Sequence, residues 1–155
     1  MSGAEPVVSR GFKVGVWRSY MEVHHEVLGA IERELAQRHR LSVSEFDVLV
    51  NIPLDGTRLK DLKQRVVLTQ SAISRLFDRL AERGLVVRSP LAEDQRGAVV
   101  KLTEEGRKVL RAAVRTNTEV VERTFAGKLS TEELRALHGI VTRLKGAEAP
   151  EAPDA

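Results

Sequence analysis

The 155 residues leave room for one compact domain, or for one small reading domain carried on helical arms, and not for two large domains. With 42% apolar and 30% charged residues the chain can bury a core, and with no cysteine it can form no disulfide, thiolate metal site or thiol redox switch. The formal net charge of +3 is unevenly placed: ten basic and five acidic residues lie between Arg58 and Lys101, against fifteen and seventeen elsewhere. That is the footprint of a polyanion-binding segment carried on near-neutral flanks.

Residues 1–10 and 146–155 lack periodicity and are expected as flexible tails. Val14, Trp17, Met21, His24, Leu28, Ile31 and Leu35 recur alternately three and four apart, which predicts a long first helix with a heptad-type seam. Ser42-Val43-Ser44-Glu45 has capping-box spacing and starts a second helix running to about Ile52. Pro53-Leu54-Asp55-Gly56 is a turn cluster, and Leu59, Leu62 and Val66 mark a short third helix whose polar face carries Lys60 and Lys63.

Thr69 caps a fourth helix, with Leu68 and Ile73 as its staple, Ile73, Leu76, Phe77 and Leu80 as its apolar stripe, and Gly84 as its stop. At 100° per residue, Ser71, Ser74, Arg75, Asp78, Arg79 and Glu82 project from the opposite face. Leu85–Arg88 and Ala98–Leu102 read as two strands of a hairpin with a long tip. Thr103 with Glu104 and Glu105 starts a fifth helix lined by Leu110, Val114, Asn117, Val121 and Phe125. Ser130 to Glu133 repeats the capping box and begins a last helix with the seam Leu134, Leu137, Val141 and Leu144.

The fold class is therefore mainly α with a small β-hairpin wing. Two short helices, a turn and a hairpin make a winged helix-turn-helix, in which the second helix enters a DNA major groove about 12 Å wide and meets base edges with Arg, Gln and Ser side chains. The expected DNA-contacting residues are Thr69, Gln70, Ser71, Ser74, Arg75 and Arg79, with Arg96 from the wing reaching the minor groove. Lys60 and Lys63 are either phosphate contacts or ordinary surface lysines.

The segment TQSAISRLFDRLAERGLV, followed by EDQRG and KLTEEG, resembles the core of the MarR (multiple antibiotic resistance regulator) family. The resemblance covers about residues 14–145, and its most specific part runs from the fourth helix into the wing. It implies a homodimer with interlocked N- and C-terminal helices, two winged lobes on a palindromic site of double-stranded DNA, and often a small-molecule effector. It also implies an Asp-x-Arg wing motif at Asp94-Gln95-Arg96, in which Arg96 reaches DNA and Asp94 supports it. Leu91-Ala92 stands where the family commonly has Asp-Pro or a similar polar pair.

The resulting division is a dimerisation region at 11–40 and 103–145 and a winged DNA-binding region at 41–102. Trp17 and His24 are the candidate ligand contacts, each weighed against packing in a core or a subunit interface. The adjacent His24 and His25 point about 100° apart and form no two-histidine metal face, so neither metal nor cofactor is expected. An enzyme is disfavoured, because GxxxxGK[ST], HExxH and GxSxG are all absent. The competing reading is a dimeric protein-interaction module that does not read DNA. No apolar run approaches the roughly 18 residues of a membrane span and no leader pattern opens the chain, so a cytoplasmic location is expected.

Overall fold

A computed structural model describes residues 8–58, 60–62, 70–91 and 94–146. The first helix, α1 (Arg10–His39), has 30 residues and is about 45 Å long at 1.5 Å per residue. The Ser9 hydroxyl caps it by accepting from the Phe12 N–H at 3.1 Å, so Ser9 and Arg10, read from the sequence as part of a tail, belong to the start of the helix. Arg40 ends it with φ 56°, and the Leu41 N–H reaches back to the Leu35 carbonyl at 3.2 Å. The second helix, α2 (Val43–Val50), starts at the expected capping box: the Glu45 N–H donates to the Ser42 hydroxyl, and the Glu45 carboxylate accepts from the Ser42 N–H. It stops two residues before the expected Ile52, which is buried in the following turn.

The Gly56 N–H donates to the Pro53 carbonyl at 2.9 Å and turns the chain into β1 (Thr57–Arg58). Residues 60–62 are helical (α3), and Leu62 is fully buried. The helix α4 (Gln70–Glu82) buries Ile73, Leu76, Phe77 and Leu80 as its stripe predicts. Its expected cap and staple at Thr69 and Leu68, and the remaining third-helix positions Leu59, Lys63 and Val66, lie outside the described residues. The expected stop at Gly84 is a Schellman turn: Gly84 has φ 68°, its N–H donates to the Ala81 carbonyl, and the Leu85 N–H donates to the Leu80 carbonyl.

The wing differs from its sequence reading in two respects. Its strands are β2 (Val86–Leu91) and β3 (Asp94–Leu102), longer than the expected 85–88 and 98–102. The ladder runs from Val86↔Leu102 to Pro90↔Ala98 and, past an irregularity, to Leu91↔Asp94. Pro90 reads as a turn signal, yet β2 is an edge strand in the order β1-β3-β2, where a residue without an N–H is tolerated. The sheet also has three strands, not two, because β1 pairs antiparallel with β3 through Thr57↔Val100 and Arg58↔Val99. Two residues are too few to show the alternation that marks a strand.

In the helix α5 (Glu104–Thr124), the Thr103 hydroxyl accepts from the Gly106 N–H at 2.9 Å and donates to the Gly84 carbonyl at 2.6 Å. The start of α5 is thereby tied to the end of α4. A 3-10 turn (Ala126–Lys128) leads to α6 (Thr131–Leu144), whose capping box at Ser130 and Glu133 forms as expected. The core joins Leu35, Leu41, Val48, Leu49, Leu62, Ile73, Phe77, Leu80, Val86 and Val100, all fully or almost fully buried. Burial of each such side chain contributes roughly 1.5–3 kcal/mol.

The fifth helix corrects a further expectation. Its buried positions are Gly106, Ala113, Thr116 and Val120, whereas the expected lining residues Leu110, Asn117, Val121 and Phe125 are half-buried and Val114 is 42% exposed. The inward positions are small where a neighbour comes close: Gly106 lies against the Leu85 backbone, and Thr116 is bonded to His39 of α1. The larger apolar residues occupy the neighbouring face.

Candidate nucleic-acid interface

The amphipathic pattern of α4 sets the site. With Ile73, Leu76, Phe77 and Leu80 pinned in the core, Arg75, Asp78, Arg79 and Glu82 lie exposed on the other face and Ser74 is half-buried. Gln70 and Ser71 form the first turn of this helix. Thr69 and Lys63 lie outside the described residues, and Lys60 is exposed on the segment before α4. Asp94 and Arg96 both fall in β3, on the outer part of the wing.

The two arginines of the α4 face differ. Arg75 makes no ion pair among the described residues and offers a guanidinium to an external acceptor. The Nε of Arg79 lies 3.3 Å from Oε1 of Glu45, whose other oxygen accepts from the Ser42 N–H at 2.9 Å. Glu45 is only 7% exposed, so one carboxylate both caps α2 and holds the direction of Arg79. The wing is tied to the same helix. Arg88 of β2 donates to Asp78 at 3.1 Å, and its guanidinium stands 5.6 Å from the centroid of the Phe77 ring, a cation–π arrangement. Asp78 therefore faces outward to hold the wing strand. Sequence spacing gives Glu45 its capping role but not its hold on Arg79, and nothing local marks Arg88 as a partner of Asp78.

The proposed ligand contacts separate. Trp17 is 62% exposed and stacks on Tyr20, with ring centroids 5.9 Å apart. His24 also stacks with Tyr20, at 6.4 Å, and lines an open, largely apolar groove of about 500 Å³ between α1, the end of α5 and α6. Trp17 is not among the lining residues. Tyr20, Leu28, Phe125, Leu137 and His138 are. Among the described residues no group of three acidic or histidine side chains is placed to hold a metal ion, and no helix is long and apolar enough to cross a membrane.

The geometry has clear relatives. The MarR family model matches residues 41–97. The chain is 31% identical over 125 residues to an uncharacterised HTH-type transcriptional regulator of Bacillus cereus, a match covering 79% of this chain and 83% of the relative. Among solved structures, Sco3205, a MarR family transcriptional regulator from Streptomyces coelicolor in complex with DNA, superposes with a TM-score of 0.79 at 25% identity, covering 96% of this chain and 98% of its own. The regulator AbsC of the same organism and family gives a TM-score of 0.74 at 27% identity, covering 92% and 99%.

Proposed function

The chain belongs to the MarR family of transcriptional regulators, and from that premise we propose that it binds a palindromic operator in double-stranded DNA as a homodimer and represses transcription by occlusion. It is a regulator and not an enzyme. The observation that carries the DNA reading is the α4 face, where Arg75 is exposed with no ion-pair partner among the described residues and Arg79 is aimed by Glu45. Thr69, Gln70, Ser71 and Ser74 would complete the base-reading edge, Lys60 and Lys63 would meet phosphates, and Arg96, supported by Asp94, would enter the minor groove. Two such helices in successive major grooves stand about 34–36 Å apart.

Residues 11–40 and 103–145 would supply the dimer frame and residues 41–102 the reading head. A small apolar effector seated in the groove beside His24 would release DNA by favouring a subunit spacing that does not fit successive grooves. The working location is the cytoplasm, with the DNA.

The test is binding of the purified protein to the DNA flanking its own gene from about 50 to 200 mM salt, with random duplex as competitor. Tight, salt-sensitive binding that survives competition supports the reading. A folded protein that binds no duplex at low salt would instead be an interaction module.

A further inference from the structure

We propose that Arg83 is the positioning residue that couples the reading helix α4 to the α1–α5 frame, an inference that rests on the DNA-reading role of α4. Arg83 directly follows the last residue of α4. Its Nη1 donates to the Arg40 carbonyl at 2.6 Å and its Nη2 to the His39 carbonyl at 3.0 Å. These carbonyls lie at the C-terminal end of α1, where helix carbonyls lack intrahelical partners and the helix dipole is negative. The left-handed turn at Arg40 leaves both within reach of one guanidinium.

The same turn of α1 is fastened to α5. Nε2 of His39 is hydrogen-bonded to Oγ1 of Thr116 at 2.8 Å, and Arg38 pairs with Glu119 of α5 and with Glu34 of its own helix. Arg123 of α5 returns to Glu34. The last turn of α1 is thus a junction with α5 on one side and α4 on the other.

The remaining hold on α4 combines its buried apolar stripe with polar ties to α2 through Arg79 and Glu45, to β2 through Asp78 and Arg88, and to the start of α5 through Gly84 and Thr103. Ile73, Leu76, Phe77 and Leu80 are buried, and apolar burial fixes depth more strongly than direction because it is non-directional. The two charge-assisted bonds of Arg83 add a directional tie from the tip of the helix to the end of α1. A planar guanidinium spans two adjacent carbonyls in a way that an ammonium does not, so lysine is a partial replacement. In a dimer reading two half-sites, this clamp transmits the frame's geometry into the separation of the two reading helices.

The experiment uses the operator located above, in its native form, with one base pair inserted or deleted between half-sites, and as an isolated half-site. For R83M, half-site binding is expected within about twofold of the unaltered protein, while the preference for native spacing falls about tenfold, within the usual range of coupling between sites. R83K is expected to recover part of that preference. Equal losses on half-site and palindrome, or an unchanged spacing preference, overturn the proposal.

Should the unaltered protein bind no duplex specifically, the DNA reading fails while the clamp remains measurable. Because the chain has no cysteine, Glu26→Cys and Glu82→Cys, both at exposed positions, place one spin label on α1 and one on α4. With labelled chains diluted in unlabelled ones, R83M is expected to broaden the α1–α4 distance distribution and R83K to narrow it again. A distribution unchanged by R83M overturns the clamp itself.

Discussion

His39 illustrates how one residue carries several tasks at the junction of α1 and α5. Its carbonyl accepts from Arg83 and its ring is bonded to Thr116. Burial, then the charges of Arg38 and Arg115, hold its pKa below the ordinary value of 6.5. A base whose folded pKa is depressed binds protons more readily in the unfolded chain. Its contribution to stability is therefore complete above pH 6.5 and is lost as the pH falls through the lower folded value. Urea melts across this window are expected to show falling stability, and His39→Gln, which keeps a polar amide near Thr116, is expected to flatten the slope. An unaltered slope would assign the titration to another group. At the reading face, Arg96→Ala is expected to weaken binding across all sequences, whereas Arg75→Ala also relaxes preference at particular bases, each such contact being worth about 1–3 kcal/mol of discrimination. Competition between operator and random duplex measures both, and equal losses on the two duplexes for both variants would end that division of labour.

At the scale of elements, caps were the most legible feature. Ser42, Thr103 and Ser130 start helices where their spacing places them, and Gly84 stops α4, because capping is decided within four or five residues. The buried face of α5 was not legible from apolar periodicity. Close neighbours require small side chains there, and Gly106, Ala113 and Thr116 carry too little apolar surface to stand out beside Leu110 and Phe125. The Arg83 clamp was also hidden, since its acceptors are backbone carbonyls 43 and 44 positions away. At Gly106 the close neighbour is backbone. A Cβ there would collide with the Leu85 carbonyl oxygen, so Gly106→Ala must push α5 away from the residue that leads into β2. A loss of about 1–3 kcal/mol is expected, the usual range for overpacking, read as a lower denaturant midpoint with little change in slope. A neutral result would mean that the first turn of α5 can move without disturbing the wing.

For the whole molecule, the decisive feature is apolar surface that one chain leaves uncovered. Phe12, Val16, Trp17 and Tyr20 on α1 are each more than half exposed. The 14-residue helix α6 has no fully buried residue, Leu134, Leu137 and Val141 being half-buried, although its capping box is complete. Isolated helices of this length are marginal in water even with good caps, so α6 needs a covering surface to persist. Phe125, half-buried at the end of α5, lines the same groove as Leu137 and Val141 of α6. In the proposed homodimer a second copy would supply the complementary face by symmetry, since a two-fold interface buries the same patch on both subunits. Two single variants, Trp17→Glu on α1 and Ile140→Arg on α6, place charges on surface that is 62% and 45% exposed in one chain, where they disturb the monomer core little. In the proposed dimer each charge would be desolvated, and an uncompensated buried charge is strongly unfavourable. Sedimentation velocity is expected to show at least tenfold weaker self-association for either variant, and far-UV circular dichroism a loss of helix on dilution as α6 is uncovered. The melting temperature of the unaltered protein should rise with its concentration, as mass action requires of a folded dimer. Unchanged sedimentation in both variants, with a melting temperature independent of concentration, would show that α6 is stable without a second copy and that the two reading heads are not held by this face.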